Sequence, residues 1–176
     1  MRRESGTDGR AAAVSPGATT AGGPLRPDVH VHVAWAGEHR FDSGRPRGPQ
    51  ARLDGSGTSA QSPVDSVLSA LGACAAVDVV DILAKRRTPL SSLEVEATGE
   101  RATGTPRRLL RIALDFRLAG EGIERVHAER AVELSLTKYC SVRSSLATDI
   151  VIQWRVTLGG ESGEGEGEGE WQVTPA

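Results

Sequence analysis

The sequence predicts a mixed α+β fold in the order β-β-α-β-β-α-β, with two long central helices against antiparallel sheets. Residues 29–35 and 109–118 alternate apolar and polar side chains, which is typical of half-buried strands. Residues 62–87 and 124–146 instead repeat their apolar side chains at helical spacing. Strands that run in hairpins, with long helices between them, define an α+β architecture.

The first strand, 29–35, reads VHVHVAW, so alternation places four apolar side chains on one face. These are Val29, Val31, Val33 and Trp35. The Ala36-Gly37 pair turns the chain into a second short strand, 38–43. Residues 44–62 are rich in Gly, Pro and Ser and are predicted to form one long loop, a feature that is often functional.

Standard start signals open the first helix: Ser62 as the cap, Pro63 in the first turn and Asp65 at the positive end of the dipole. The helix is predicted to run to about Arg87, because basic residues gather there and a proline follows. Small residues surround Cys74, which predicts a central, largely buried helix.

The second half of the chain repeats the strand–helix pattern. Strands 93–99 and 109–118 form a predicted antiparallel pair, and alternation in the second places five apolar side chains on one face: Leu110, Ile112, Leu114, Phe116 and Leu118. The second helix, 124–146, carries Cys140 in its last two turns. A final strand, 149–158, completes the fold.

Composition divides the chain into three parts. Residues 1–27 are a predicted disordered N-terminal extension, and residues 159–176 are a predicted disordered Gly/Glu-rich tail. Both have too few bulky apolar residues to offset the conformational entropy lost on folding. Residues 28–158 form the predicted folded domain.

Charge and composition exclude several classes of function. The whole chain carries a formal charge of −2, and the predicted folded part is nearly neutral, so no nucleic-acid partner is expected. No membrane association, secretion signal or secreted disulfide scaffold is predicted, and a cytoplasmic location with reduced cysteines is expected. His30, His32 and His39 lack a supporting acid, so neither a metal nor another cofactor is predicted.

Two cysteines lie in the two predicted helices, and the ordinary interpretation of each is a small buried apolar residue. The sequence around them, however, resembles the OsmC/Ohr family, closest to the branch that carries KYCSV, here 138–142. The segment 62–87, SPVDSVLSALGACAAVDVVDILAKRR, places Cys74 at the family's first cysteine. ERA at 100–102 and PRRLLRIALDF at 106–116 also match, so the resemblance covers roughly residues 29–158.

The resemblance implies an OsmC-like fold, an intertwined homodimer with active sites at the subunit interface, and thiol peroxidase chemistry. Cys74 would attack a small organic hydroperoxide as thiolate and become a sulfenic acid. Cys140 would then form a disulfide with it, and an external dithiol would reduce that disulfide. The mechanism requires Cα atoms of the two cysteines within about 4.4–6.8 Å of each other.

A peroxidatic thiol needs a lowered pKa, and Cys74 lies too far along its helix for the dipole to supply it. Family members use an arginine that precedes the first helix. The candidates are Arg40, Arg45, Arg47 and Arg52, and Arg52 is favoured for its position ahead of Asp54-Gly55.

The family pairs that arginine with a glutamate near the helix start, a position that falls on Val64 here, with Asp65 beside it. Asp65 and Cys74 are separated by ~13 Å along the helix and lie on opposite faces. Asp65 therefore acts through an arginine or a partner subunit, or it only stabilises the start of the helix.

Three functions follow from these residues. The leading hypothesis is a thiol-dependent hydroperoxide reductase in oxidative-stress defence, with Cys74, Cys140, Arg52 and Asp65 as its catalytic set. An alternative is a non-enzymatic dimer of the same fold that binds a small apolar ligand near Cys74. A third possibility is a structural dimer whose cysteines are inert.

Overall fold

A computed structural model of the chain describes residues 29–159 and 165–174. Eight strands are present there: β1 His32–Trp35, β2 Arg40–Gly44, β3 Gln50–Asp54, β4 Ser92–Arg101, β5 Leu109–Ala119, β6 Val151–Gly159, β7 Gly165–Glu168 and β8 Gln172–Val173. The helical elements are α1 Pro63–Lys85, α2 Arg125–Leu134, a π-helical segment Ser135–Tyr139 and α3 Ser141–Ser145. The predicted α+β class is confirmed.

The strands form two sheets. The smaller is antiparallel, in the order β1-β2-β3. The larger follows the order β4-β5-β6-β7, with β8 also paired to β6. β5 and β6 run parallel because the second helical region crosses over between them, so the expectation of purely antiparallel sheets is wrong at this pair.

The core lies between α1, the second helical region and the inner face of the larger sheet. From α1 it takes Leu71, Ala75, Val79 and Leu83. From β5 it takes Ile112, Leu114, Phe116 and Leu118, as the alternation predicted, whereas Leu110 is exposed. The register pairs three of these residues with Ile152, Trp154 and Val156 of β6, so both strands point apolar side chains at the helices.

Helix α1 begins where the sequence predicts. Ser62 caps it, and a reciprocal pair of hydrogen bonds joins Ser62 and Asp65. At the other end the chain reverses through Arg87 in the left-handed region, with φ of 65°. The backbone N–H groups of Arg87 and Thr88 then donate to the last carbonyls of the helix, which ends it sharply.

The second helix is not continuous, which corrects the prediction of one helix over 124–146. It runs as α2 to Leu134, widens into the π-helical segment, breaks at Cys140 and resumes as the short α3. Cys140 itself has extended backbone angles, φ −67° and ψ 103°. The cysteine therefore lies at a break between helices and not within a helix.

The predicted loop 44–62 contains a strand. β3 pairs with β2 along its whole length, from Arg40 opposite Asp54 to Gly44 opposite Gln50. The prediction of a structureless loop is therefore wrong at 50–54. The remaining connection to α1 is tied to the buried Asp54, whose carboxylate accepts hydrogen bonds from Ser56, Thr58 and Ser59.

The predicted half-buried face of the first strand is exposed in the single chain. Val29, Val31, Val33 and Trp35 are 86%, 51%, 56% and 70% exposed. Only Val33 and Trp35 lie in β1, which pairs with β2 over 32–35, so the prediction of a strand over 29–35 is wrong at 29–31. Within the part of the chain that the structure describes, the apolar face of β1 is left largely open to solvent.

Helix α1 also meets the length and hydropathy that a membrane span requires, contrary to the expectation that no segment does. Its buried face packs into the core described above, as the central helix of a folded domain does. Length and hydropathy therefore do not by themselves distinguish this helix from a membrane span.

The C-terminal segment differs from the prediction where the structure describes it. The extension 1–27 lies outside the described residues. In the tail 159–176, expected to be disordered, Gly165–Glu168 and Gln172–Val173 are strands on the edge of β6. The expectation is therefore wrong for these two segments. Trp171, between them, stacks its ring on the guanidinium of Arg155 at 4.9 Å.

Candidate active site

Cys74 occupies the middle of α1, an uninterrupted helix of 23 residues. Its side chain is half-buried and packs against the edge of the core. Leu71 and Ala75, on the buried face of the same helix, fix the rotation of α1 on the sheet. The thiol is thus held by a rigid element and keeps part of its surface open.

Cys140 lies at the junction between the π-helical segment and α3, and it is 1% exposed. Its backbone N–H donates to the carbonyl of Ser135 at 2.9 Å, which closes the wide π turn. Its Sγ accepts from the backbone N–H of Arg143 at 3.4 Å, so the thiol caps α3. The break in the helix therefore turns this side chain inward.

The two thiols are free and close enough to interact. Burial and, to a smaller extent, interaction with Cys74 raise the pKa of Cys140, and the backbone N–H groups of Arg143 and Val142 lower it. The net result is a pKa of about 11. Cys140 is thus a neutral thiol at physiological pH. Cys74, the less buried of the two, is the better placed to meet a reagent from solvent.

Arg52, the favoured partner of the thiolate, is engaged elsewhere. Its guanidinium donates to both carboxylate oxygens of Asp42 across β2 and β3, at 2.5 and 3.2 Å. The pKa of Arg52 is raised by this hydrogen bond and by the charge of Asp42. Arg40, in the same sheet, pairs with Glu38 at 2.9 Å. In the described residues neither arginine is hydrogen-bonded to a cysteine, so the role of Arg52 stays a prediction.

Asp65 is the acid of the capping box at the start of α1. Its Oδ2 accepts from the backbone N–H of Ser62 at 2.9 Å, and its own N–H donates to the Ser62 hydroxyl at 3.2 Å. These bonds, together with the positive charge of Arg101, hold the pKa of Asp65 below its ordinary value. Of the alternatives open from the sequence, the contacts observed are those of an acid that stabilises the helix start.

The histidines that could have suggested a metal do not form a cluster of ligands. Among residues 29–159 and 165–174, no group of three or more His, Cys, Asp or Glu side chains is arranged to hold a metal ion.

Sequence reasoning missed a buried polar contact beside the cysteines. The Ser135 hydroxyl donates to Oδ2 of Asp78 at 2.8 Å, and Ser135 has no exposed surface. The sequence contains a signal for this contact. Asp78 follows Cys74 by four residues, hence on the same helix face, and Ser135 precedes Cys140 by five.

The fold and the pair of neighbouring thiols are those expected of a two-cysteine protein of the OsmC type. Comparison with known proteins supports this class. A family model described as OsmC-like protein matches residues 55–155. The chain belongs to this family. The match includes α1 and the second helical region, and with them both cysteines.

The chain is also similar to individual proteins. The chain is 40% identical to Protein YhfA of Escherichia coli K12 over 115 residues, which are 65% of this chain and 86% of the relative. A crystal structure of a hypothetical protein from Aquifex aeolicus superposes with a TM-score of 0.66 at 26% identity, covering 77% of this chain and all of that one. An OsmC-like protein from Mycoplasma pneumoniae gives a TM-score of 0.67 at 17% identity over the same shares, a likeness of fold alone.

Proposed function

We propose that the protein is a thiol-dependent reductase of small organic hydroperoxides that serves oxidative-stress defence through Cys74 and Cys140. The observation that carries the proposal is the proximity of the two free thiols across the α1–α3 contact, with unequal burial. Membership of the OsmC-like family supports it, since the resemblance around both cysteines implies this chemistry.

The unequal burial supports a different role for each cysteine. The half-buried Cys74 attacks the terminal peroxide oxygen, the O–O bond breaks, and the alcohol leaves as Cys74 becomes a sulfenic acid. The thiol of Cys140 then displaces that hydroxyl, and its proton departs with it as water. A disulfide joins α1 to the start of α3, and an external dithiol reduces it. The cytoplasm, where reductants keep thiols reduced, suits this cycle.

Thiol counting tests the proposal. Titrating the reduced protein with cumene hydroperoxide should consume two thiols per chain and leave one intramolecular disulfide. Cys140→Ser should stop at a sulfenic acid on Cys74 that dimedone traps, and Cys74→Ser should keep its remaining thiol. If wild-type thiols oxidise no faster than those of N-acetylcysteine, the protein is not a peroxide reductase.

We also propose that two chains form a homodimer, as the family resemblance implies. An apolar stripe along α1 is exposed in the single chain and has the i, i+3, i+7 spacing of a helix–helix seam. It consists of Ala70, Ala73, Val77, Val80 and Ala84. Val33 and Trp35 of β1 form a second exposed apolar surface. A second copy could bury both surfaces, and exposed apolar surfaces of this kind are typical of protein–protein contacts.

Light scattering of the purified protein measures this directly. The wild type should have the mass of two chains, and Val77→Glu should shift it toward one, because a charge would enter the seam. Val126→Glu is the matched control, since Val126 is about as exposed as Val77 but lies on α2 and is not part of the stripe. A single-chain mass for the wild type would contradict the proposal.

The alternative function, a non-enzymatic dimer that binds a small apolar ligand near Cys74, is favoured by one observation. A cleft of about 640 Å³ lies between α1 and β4, floored by Leu68, Gly72 and Val95 and reaching Ala73, the neighbour of Cys74. Slow oxidation of the thiols, together with a retained apolar ligand, would favour this alternative over the reductase.

A further inference from the structure

Ser135 is a polar side chain with no exposed surface, set in the core beside the cysteines. Its hydroxyl is shared between Oδ2 of Asp78, at 2.8 Å, and the carbonyl oxygen of Ala75, at 3.3 Å. A hydroxyl buried without such partners would be destabilising, and one bonded to a carboxylate forms a strong contact. Ser135 therefore anchors the second helical region to one defined turn of α1.

The turn that Ser135 contacts is the one that carries the first cysteine. Asp78 lies four residues after Cys74, so both project from the same face of α1. Ala75, whose carbonyl is the second acceptor, directly follows Cys74 in the chain. The side chain of Ser135 thus fixes the second helical region relative to Cys74.

The backbone of the same residue contacts the second cysteine. The carbonyl of Ser135 accepts the N–H of Cys140 at 2.9 Å, five residues on, and this bond closes the π-helical turn. π-Helical turns are rare and occur frequently at functional sites. Here the turn ends the helix at Cys140 and leaves its Sγ directed into the core.

We propose that Ser135 and Asp78 are positioning residues that hold the Cys140 thiol against Cys74 and so promote disulfide closure. Neither residue reacts. Ser135 joins the two cysteine-bearing elements through two different groups, its hydroxyl toward α1 and its carbonyl toward Cys140. The biological role of this positioning rests on the proposed reductase function. The effect of Ser135 and Asp78 on disulfide formation does not depend on it.

Equilibration with glutathione measures how readily the Cys74–Cys140 disulfide forms, and it needs no peroxide. Oxidised glutathione takes two electrons from the pair, so that the Cys74–Cys140 disulfide forms and two molecules of glutathione are released, each carrying one of the thiol protons. Ser135→Ala and Asp78→Ala should lower this equilibrium constant by about tenfold, the value of one buried hydrogen bond. Asp78→Asn, which keeps an acceptor oxygen for Ser135, should stay close to the wild type.

A control variant is needed to separate a change in the redox equilibrium from a general loss of stability. Val132→Ala removes a fully buried side chain of α2 that has no hydrogen-bonding role, and it should leave the redox equilibrium at the wild-type value. Asp78 is only half-buried, so its variants remain testable if Ser135→Ala fails to fold. An unchanged equilibrium in Asp78→Ala, or an equal drop in Val132→Ala, would overturn the proposal.

The two proposals fail separately. A wild type that ignores cumene hydroperoxide but shows the predicted glutathione equilibria would refute the reductase and keep the positioning role. If the wild type consumes hydroperoxide but Asp78→Ala has the wild-type equilibrium constant in glutathione buffer, the reductase proposal stands and the positioning role is refuted.

Discussion

The two cysteines come from helical regions that are built in opposite ways. Helix α1 runs unbroken for 23 residues, with a capping box at one end and a tight reversal at the other. The second region changes its winding at Ser135 and breaks at Cys140. One thiol is therefore held by a regular helix and the other by a backbone irregularity.

The largest expected effect is on the free energy of unfolding, and it tests whether α1 is the central helix of the core. Leu71→Ala should lower the free energy of unfolding by about 2–5 kcal/mol, because Leu71 is fully buried and its truncation leaves a cavity. Leu110→Ala is the matched control and should cost far less, since Leu110 is 41% exposed on β5. Urea denaturation of the reduced proteins gives both values. Equal losses would mean that α1 is not the centre of the core.

The next effect belongs to the second region and appears at alkaline pH. Because the pKa of Cys140 is raised to about 11 in the folded state, against about 8.5 for an unfolded cysteine, the folded protein holds a proton that the unfolded chain has lost. Stability should be full below about pH 8.5 and fall as the pH rises toward about 11. Cys140→Ser should flatten this decline in urea denaturation under reducing conditions, and a decline that persists in Cys140→Ser would have another source.

A smaller effect tests the cap of α1. Ser62→Ala removes the hydroxyl that accepts the Asp65 N–H, and it should lower the free energy of unfolding by about 1 kcal/mol. It should leave the glutathione equilibrium of the cysteines unchanged, because Cys74 is about three turns away along the helix. A shift in that equilibrium would show that the start of α1 is coupled to the thiols.

The smallest effect appears at acid pH. The capping bonds hold the folded pKa of Asp65 below its ordinary value of about 3.9. Its contribution to stability is therefore present above about pH 3.9 and is lost as the pH falls through the folded pKa. Thermal melts of wild type and Asp65→Asn from pH 6 to pH 3 should converge toward the acid end. Parallel curves would mean that the Asp65 charge does not stabilise the helix start.

Local signals made α1 predictable to within a residue or two. Ser62, Pro63 and Asp65 act through contacts within one turn of the chain, so their effect is legible in the sequence. The alternation of β5 is equally local, and it identified four of its buried residues. The family motifs likewise brought together Cys74 and Cys140, whose thiols interact in the structure.

The missed features depend on partners far along the chain. The Ser135 hydroxyl bonds to Asp78, 57 residues away, and the apolar spacing of 124–146 predicts one helix with no sign of the break at Cys140. β3 is stabilised by pairing with β2, and its sequence QARLD shows little alternation. The exposed face of β1 shows a different limit of sequence analysis. Alternation predicts that the strand has an apolar face, but it does not specify what covers that face.

The C-terminal strands have a practical consequence for handling the protein. β7 and β8 occupy the free edge of β6, and the N–H groups of Gly169 and Thr174 donate to carbonyls of Val156 and Ile152. Gly169 passes so near that an added Cβ would lie 2.6 Å from the Val156 oxygen. Expression clones shortened after Gly159 would bare an unpaired strand that can template aggregation. Purification handles therefore belong at the other terminus.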